Sequence, residues 1–343
     1  MDVLNLTEDA LEAKCVEWRR WFHEHPEVST EEKKTSEKIF TILKDLGLDP
    51  VRGTDHYGVA ATLKGGKPGP MVALRADIDA LSVKEATGLP YASQNPGVMH
   101  ACGHDIHITT LLETILRLLR RKEEIQGSVR ILFQPSEELS PTGGARYMMK
   151  DGFLQDVKAI FGLHVWPSFV CGKIGVKAGA MMAGSDRIKV VIKGKTAHAG
   201  HPQEGIDAIM AAADFLQQIS HIVSRRISPL ATATINIGTI RGGSRYNVVP
   251  DEVTLEGTIR TLDEENRKRI PEFIQDILDG LKKSAGVDCE FNYYYGYPVL
   301  DNWPVPAQLV RDTARKVLGD EGLVSQVVPD LTAEDFGFYL QEI

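Results

Sequence analysis

Cysteine is scarce and scattered. The 343-residue chain holds four, Cys15, Cys102, Cys171 and Cys289. They lie far apart and without the spacing of a disulfide framework, so the fold is not stapled and a reducing, cytoplasmic setting is expected. No apolar run is long enough to span a bilayer. The first residues, Met1-Asp2-Val3-Leu4-Asn5-Leu6-Thr7-Glu8-Asp9, lack the basic region and apolar core of a secretory leader. Membrane association is therefore not expected. Positive charge is not in excess either: 39 Lys and Arg against 47 Asp and Glu give a formal net charge of -8. That balance argues against a nucleic-acid partner. Internal repeats and low-complexity tracts are absent.

What is present is concentrated in one stretch. Met99-His100-Ala101-Cys102-Gly103-His104-Asp105-Ile106-His107 packs three histidines, a cysteine and an aspartate into nine residues. A thiolate and an imidazole two residues apart reach one cation if the backbone turns sharply between them, and Gly103 permits that turn. Sulfur with imidazole suits zinc or a neighbouring transition metal, not calcium or magnesium.

The surrounding pattern is that of an α/β protein. Helical periodicity covers residues 8–25 and 31–46, with Pro26 between them. Residues 58–63 read as a strand. Residues 71–76 are an almost continuous apolar strand, of the kind buried on both faces, and it ends in Asp77-Ile78-Asp79. Polar residues at the carboxyl end of such a strand sit where α/β sheets bind ligands, although from the residues alone local capping fits Asp77 and Asp79 equally well. A helix is expected over residues 108–122 and a buried strand over 129–134, running into Pro135-Ser136-Glu137-Glu138. Neighbouring residues on a strand face opposite ways. Glu137 and Glu138 therefore serve one site only if the strand has ended at Pro135, in which case one carboxylate could bind metal and the other move protons. A short helix to about residue 150 and a strand over 159–166, with His164 near its end, complete a mainly parallel sheet covered by helices on both sides. Cys102, His104, Glu137, Glu138 and His164 would converge at its carboxyl edge. After the small-residue stretch 175–184 the pattern resets to strand 186–192, helix 205–225, strands 231–240 and 253–260, helix 264–285 and strand 288–295. That order is ferredoxin-like. Residues 180–296 are thus expected to form an α+β domain inserted into a metal-binding catalytic domain of residues 1–179 and 297–343, whose last part includes a helix over 306–318.

At this point the sequence resembles a known family, the dinuclear metal amidohydrolases that include hippurate hydrolases, N-acyl-amino-acid amidohydrolases and auxin–amino-acid conjugate hydrolases, relatives of aminoacylases and zinc carboxypeptidases. The stretches that carry the resemblance are Leu74-Arg75-Ala76-Asp77-Ile78-Asp79-Ala80-Leu81, His100-Ala101-Cys102-Gly103-His104-Asp105, Phe133-Gln134-Pro135-Ser136-Glu137-Glu138, Gly162-Leu163-His164, Gly194-Lys195-Thr196-Ala197-His198-Ala199, Asn247-Val248-Val249-Pro250-Asp251 and Gly257-Thr258-Ile259-Arg260. The resemblance implies that Cys102, His104, Glu138 and His164 are metal ligands for two divalent ions (zinc, manganese, cobalt or nickel) and that Glu137 is the general base. It implies that His198 is a lid histidine reaching into the partner's site, and that Asn247 and Arg260 bind the substrate's carboxylate. Asp77 matches a position that supports the ligands. The implied activity is hydrolysis of N-acyl amino acids by a homodimer, or tetramer, formed through the lid domain. A dipeptidase or aminoacyl carboxypeptidase, or a non-catalytic metal or amino-acid binding relative, are the alternatives. The family also carries a metal-ligating histidine in a C-terminal strand, whereas no histidine follows His221 here. Either the sequence is shortened at its C-terminus or one metal position lacks a ligand.

Overall fold

Two compact units emerge from the chain, Met1–Ile174 with Leu309–Val324 and Phe338–Ile343, and Gly175–Gln308 with Ser325–Gly337. They come from a computed structural model that describes residues 6–343. Met1 to Asn5, part of the N-terminal segment read above, lie outside the described residues.

The first unit is built on the apolar strands. Its elements are α1 (Glu8–Glu24), α2 (Lys33–Asp45), β1 (Val51–Arg52), β2 (Val59–Lys64), β3 (Lys67–Asp77), α3 (His104–Leu119), β4 (Gln126–Gln134), α4 (Ala145–Lys150) and β5 (Val157–Gly162). Helix α1 begins where Thr7 accepts the Ala10 amide and stops short of Pro26, as the residue before proline disfavours helical geometry. The sheet order is β1-β2-β4-β3-β5. Strands β4, β3 and β5 run parallel, with Asp77 opposite Gln134 and Arg75 opposite Gly162, while β2 and β1 are antiparallel additions. The sheet is therefore mixed. The brief Gly65-Gly66 turn reverses the chain between β2 and β3, and β4 lies between the two. Leu11, Trp18 and Phe22 of α1, Ile39 and Leu43 of α2, and Ile108, Leu112 and Ile115 of α3 share one core with Val59, Leu63, Ile131 and Phe133. Each such side chain contributes about 1.5–3 kcal/mol on burial.

Helix α3 starts four residues earlier than its periodicity predicts. The apolar stripe begins at Ile108, but Gly103 adopts φ 89° and turns the chain so that His104 is already helical. Asp105 in the first turn complements the positive end of the helix dipole. The histidine-rich stretch is thus the helix N-terminus itself, and His104 and His107 fall three residues apart on one face.

The second unit contains β6 (Gly179–Met182), β7 (Gly184–Lys193), β8 (Ala197–His198), α5 (Ala208–His221), β9 (Ala233–Gly242), β10 (Val248–Val249), β11 (Glu252–Thr261), α6 (Glu264–Ala285), β12 (Asp288–Tyr294) and β13 (Leu300–Asn302). Helix α7 (Pro304–Leu318) follows. The main sheet, β12-β7-β11-β9, is antiparallel throughout, as the ferredoxin-like order requires. Alternate residues Ile188, Val190 and Ile192 of β7 and Val253 and Leu255 of β11 face Phe215, Ile219, Ile270, Ile274 and Leu278 of α5 and α6. The caps are readable in sequence. Asp207 accepts the Ile209 and Met210 amides at the start of α5, Asp263 accepts the Asn266 amide at the start of α6, and Gly286 closes α6 in the left-handed conformation. Among the described residues, no helix is long and apolar enough to cross a membrane.

Candidate metal centre

Three parallel strands deliver the first unit's polar residues to one edge. Asp77 is the last residue of β3. Just beyond β4, Pro135 ends the strand, and Ser136 takes φ 57°. A non-glycine residue pays for that conformation unless its surroundings hold it. Here buried Glu32 does so, accepting the Ser136 amide at 2.7 Å and its hydroxyl at 3.1 Å. The turn lets the two following carboxylates serve one site. His164 lies two residues past the end of β5.

Asp79 binds these pieces together. Its carboxylate accepts the Glu137 amide at 3.1 Å, the Glu138 amide at 2.9 Å and the Ser29 hydroxyl at 2.7 Å. Its backbone carbonyl accepts His104 Nδ1–H at 2.8 Å. A carbonyl only accepts, so the proton of a neutral His104 sits on Nδ1 and the lone pair on Nε2.

The donor atoms then gather. Cys102 Sγ lies 3.4 Å from His164 Nε2. His104 Nε2 is 3.7 Å from Asp77 Oδ2 and 4.0 Å from Glu138 Oε1. One set of ligand atoms, from Cys102, His104 and His164, and a second, from His104, Glu137 and Glu138, each fall within 4.8 Å of one another. The two sets share His104.

Two observations test whether these residues suit a cation. First, His104 is fully buried, yet among the described residues nothing hydrogen-bonds its Nε2. A buried ring nitrogen with no partner is costly unless something absent from the protein occupies it. Second, the electrostatics call for positive charge. Burial alone would lower the His104 pKa, but Asp77 and Asp79 overcome it and hold the group well above its ordinary value. Asp77, itself buried, is kept well below the usual carboxylate range by His104, His107 and Arg75. Burial pushes the Cys102 thiol and the Glu138 carboxyl upward. A metal ion would take the place of the protons these groups retain. The donor set of thiol, imidazoles and carboxylates fits zinc, manganese, cobalt or nickel.

His198, Asn247 and Arg260 belong to the second unit. His198 ends β8 and pairs with Val248 of β10, which places it beside Asn247. It is exposed, and its Nδ1 accepts the Gly200 amide at 3.0 Å. That bond puts the proton on Nε2, making His198 a donor toward solvent. Asn247 accepts the Ala199 amide through its backbone carbonyl. Arg260 is half-buried on β11, in the other sheet, where burial lowers its pKa.

Sequence reasoning left Asp79 open between a ligand-edge role and local capping and read His107 only as part of the histidine-rich stretch; the structure gives each a specific set of hydrogen bonds at the site. The available signals were the Asp-x-Asp spacing at the end of a buried strand and the three-residue interval from His104 to His107.

Comparison with known proteins agrees with this geometry. Residues 73–343 match peptidase family M20/M25/M40. The chain is 39% identical over 349 residues to N-acetyl-L-cysteine deacetylase of Bacillus subtilis, covering 100% of this chain and 83% of that protein. It is 40% identical over 294 residues to N-acyl-L-amino acid amidohydrolase of Geobacillus stearothermophilus, covering 85% and 79%. In structure it resembles a dinuclear metal-binding M20 peptidase of Bacillus subtilis, with TM-score 0.86 and 35% identity over 98% of this chain and 87% of that one.

Proposed function

The chain belongs to peptidase family M20/M25/M40, and from that premise we propose that it hydrolyses the amide bond of N-acyl amino acids, releasing a carboxylic acid and a free amino acid. It is a metallo-amidohydrolase that uses two divalent metal ions. In this proposal Cys102, His104, Glu138 and His164 hold the ions, with Asp77 supporting them from behind. The observation that carries this reading is the buried, unpartnered Nε2 of His104 at the meeting point of a thiol, a second imidazole and two carboxylates.

When bound, paired divalent ions polarise the substrate carbonyl and lower the pKa of water. The protein's own groups do the rest. Glu137 takes a proton from the attacking water and passes it to the departing amine. His198, protonated on Nε2, donates to the oxyanion. Arg260 offers a planar fork that matches a carboxylate, and with Asn247 it holds the substrate's amino-acid end. The lid is the domain of residues 180–296, inserted into a catalytic domain of residues 1–179 and 297–343. A homodimer formed through the lid domain would let His198 act on the partner's substrate. Closure of a lid is the expected accompaniment of catalytic groups on separate domains.

A substrate panel tests the activity. N-acetyl, N-benzoyl and indole-acyl amino acids are turned over once divalent ions are added back to chelator-treated protein, and free dipeptides are turned over poorly. Preferential cleavage of dipeptides contradicts the proposal and favours a peptidase. Metal uptake without any turnover favours a binding protein.

A further inference from the structure

His107 lies in the first unit, three residues after His104, and is buried. Both of its ring nitrogens are engaged. Nδ1 donates to Asp77 Oδ1 at 2.5 Å, and Nε2 accepts the Val165 amide at 2.9 Å. The carboxylate of Asp77 is itself held by Arg75, 2.6 Å from Asp77 Oδ2. A carboxylate so placed accepts only, which fixes the proton of His107 on Nδ1 and leaves Nε2 to receive the amide. Val165 in turn accepts His164 Nδ1–H on its carbonyl at 2.7 Å. That contact puts the His164 lone pair on Nε2, the nitrogen beside Cys102 Sγ. The His107 and His164 rings also pack edge to face at 4.6 Å.

The Val165 segment is pinned from a second side. A Cβ on Gly103 would come within 2.5 Å of Val165 Cγ2, so the Cys102-Gly103-His104 turn and the loop after β5 are in direct contact. One network, Arg75 to Asp77 to His107 to Val165 to His164, therefore ties β3 and α3 to the loop after β5.

We infer that His107 is a positioning residue for the metal centre, one that fixes Val165 and through it the ring orientation and tautomer of His164. The inference rests on the reading of His164 as a metal ligand. Asp77, His104 and His107 also lie close enough to be considered a ligand set themselves. The two hydrogen bonds of His107 argue against that role, because neither nitrogen has a lone pair to spare. A group hydrogen-bonded directly to a ligand is worth about 10–100-fold in metal affinity; here that group is the Val165 carbonyl, which His107 holds through the Val165 amide.

The test is metal affinity, measured by chelator competition on three variants, together with the unfolding midpoint of each metal-free protein. His107→Leu loses both hydrogen bonds and weakens one of the two bound ions by about 10–100-fold. His107→Gln places an acceptor where Nε2 was and recovers most of that affinity. His107→Asn keeps only a donor toward Asp77 and recovers little. A merely structural role would shift the unfolding midpoints and leave metal affinity alone. Wild-type affinity in all three variants overturns the inference, as does recovery by Asn but not Gln. Loss of a whole metal equivalent in His107→Gln also overturns it, by making His107 a ligand. If His107→Leu fails to fold, the Gln and Asn pair still decides. A wild-type protein that takes up no divalent ion would instead refute the proposed function.

Discussion

Replacing Glu137 with Gln leaves two divalent ions per chain and lowers kcat for N-acyl amino acid hydrolysis by about 10²–10⁴-fold. The amide has nearly the shape of the carboxylate. The loop is set by the Glu137 backbone amide on Asp79 and by Ser136 on Glu32, and neither contact involves the changed atoms. The capacity to accept a proton is lost. KM should therefore change little, as expected when an interaction made in the transition state alone is removed. Metal content and single-turnover kinetics, measured on the same preparation, separate this from damage to the site. Glu138→Gln is the contrasting variant, since it weakens metal binding. Turnover by Glu137→Gln close to the wild-type rate would remove Glu137 from its proposed role.

His198→Ala carries the second large effect. Loss of one donor to a developing oxyanion costs about 2.7–4 kcal/mol, or about 10²–10³ in kcat. Metal content should not move, because His198 lies in the second unit and not among the gathered donor atoms. If His198 acts across a dimer, mixing subunits gives a sharper result. In a heterodimer of His198→Ala with Glu137→Gln, one site has an intact Glu137 and receives His198 from the partner, and the other site lacks both. Random assortment should then restore about a quarter of wild-type turnover from two nearly inactive proteins. Verified heterodimers without recovery would mean that His198 acts within its own chain, or not at all.

How much of this could be read in advance varied with the range of the contacts. The alternating apolar residues of β7 and β11, the Asp caps of α5 and α6 and the glycine that ends α6 are local signals, and the antiparallel unit follows from them. The positions of Glu137 and Glu138 past the end of an apolar strand were legible for the same reason, whereas His164, expected inside a strand over 159–166, lies beyond a strand that ends at Gly162. The start of α3 was not. Periodicity sees Ile108 onward, whereas the helix begins at His104 because Gly103 turns the backbone there. The antiparallel placement of β2 was also hidden, since it depends on β4 entering between β2 and β3 from more than sixty residues away. Asp79 reads in sequence only as one of two polar residues at a strand end, because its partners, Ser29, His104, Glu137 and Glu138, come from three separate stretches of chain. His107 escaped because its role appears only once Asp77 and Val165 are neighbours. Long-range hydrogen bonds, not residue types, hold the ligands in place.

In the proposed site a cation sits among the Cys102 sulfur, the His104 and His164 rings and the Glu138 carboxylate. The absorption spectrum of the cobalt(II)-loaded protein tests it most directly, because a thiolate bound to cobalt gives an intense near-ultraviolet charge-transfer band. That band is expected in the wild type and in Glu137→Gln, and is expected to be absent in Cys102→Ser. Cobalt bound without the band, or a band that survives Cys102→Ser, would contradict it.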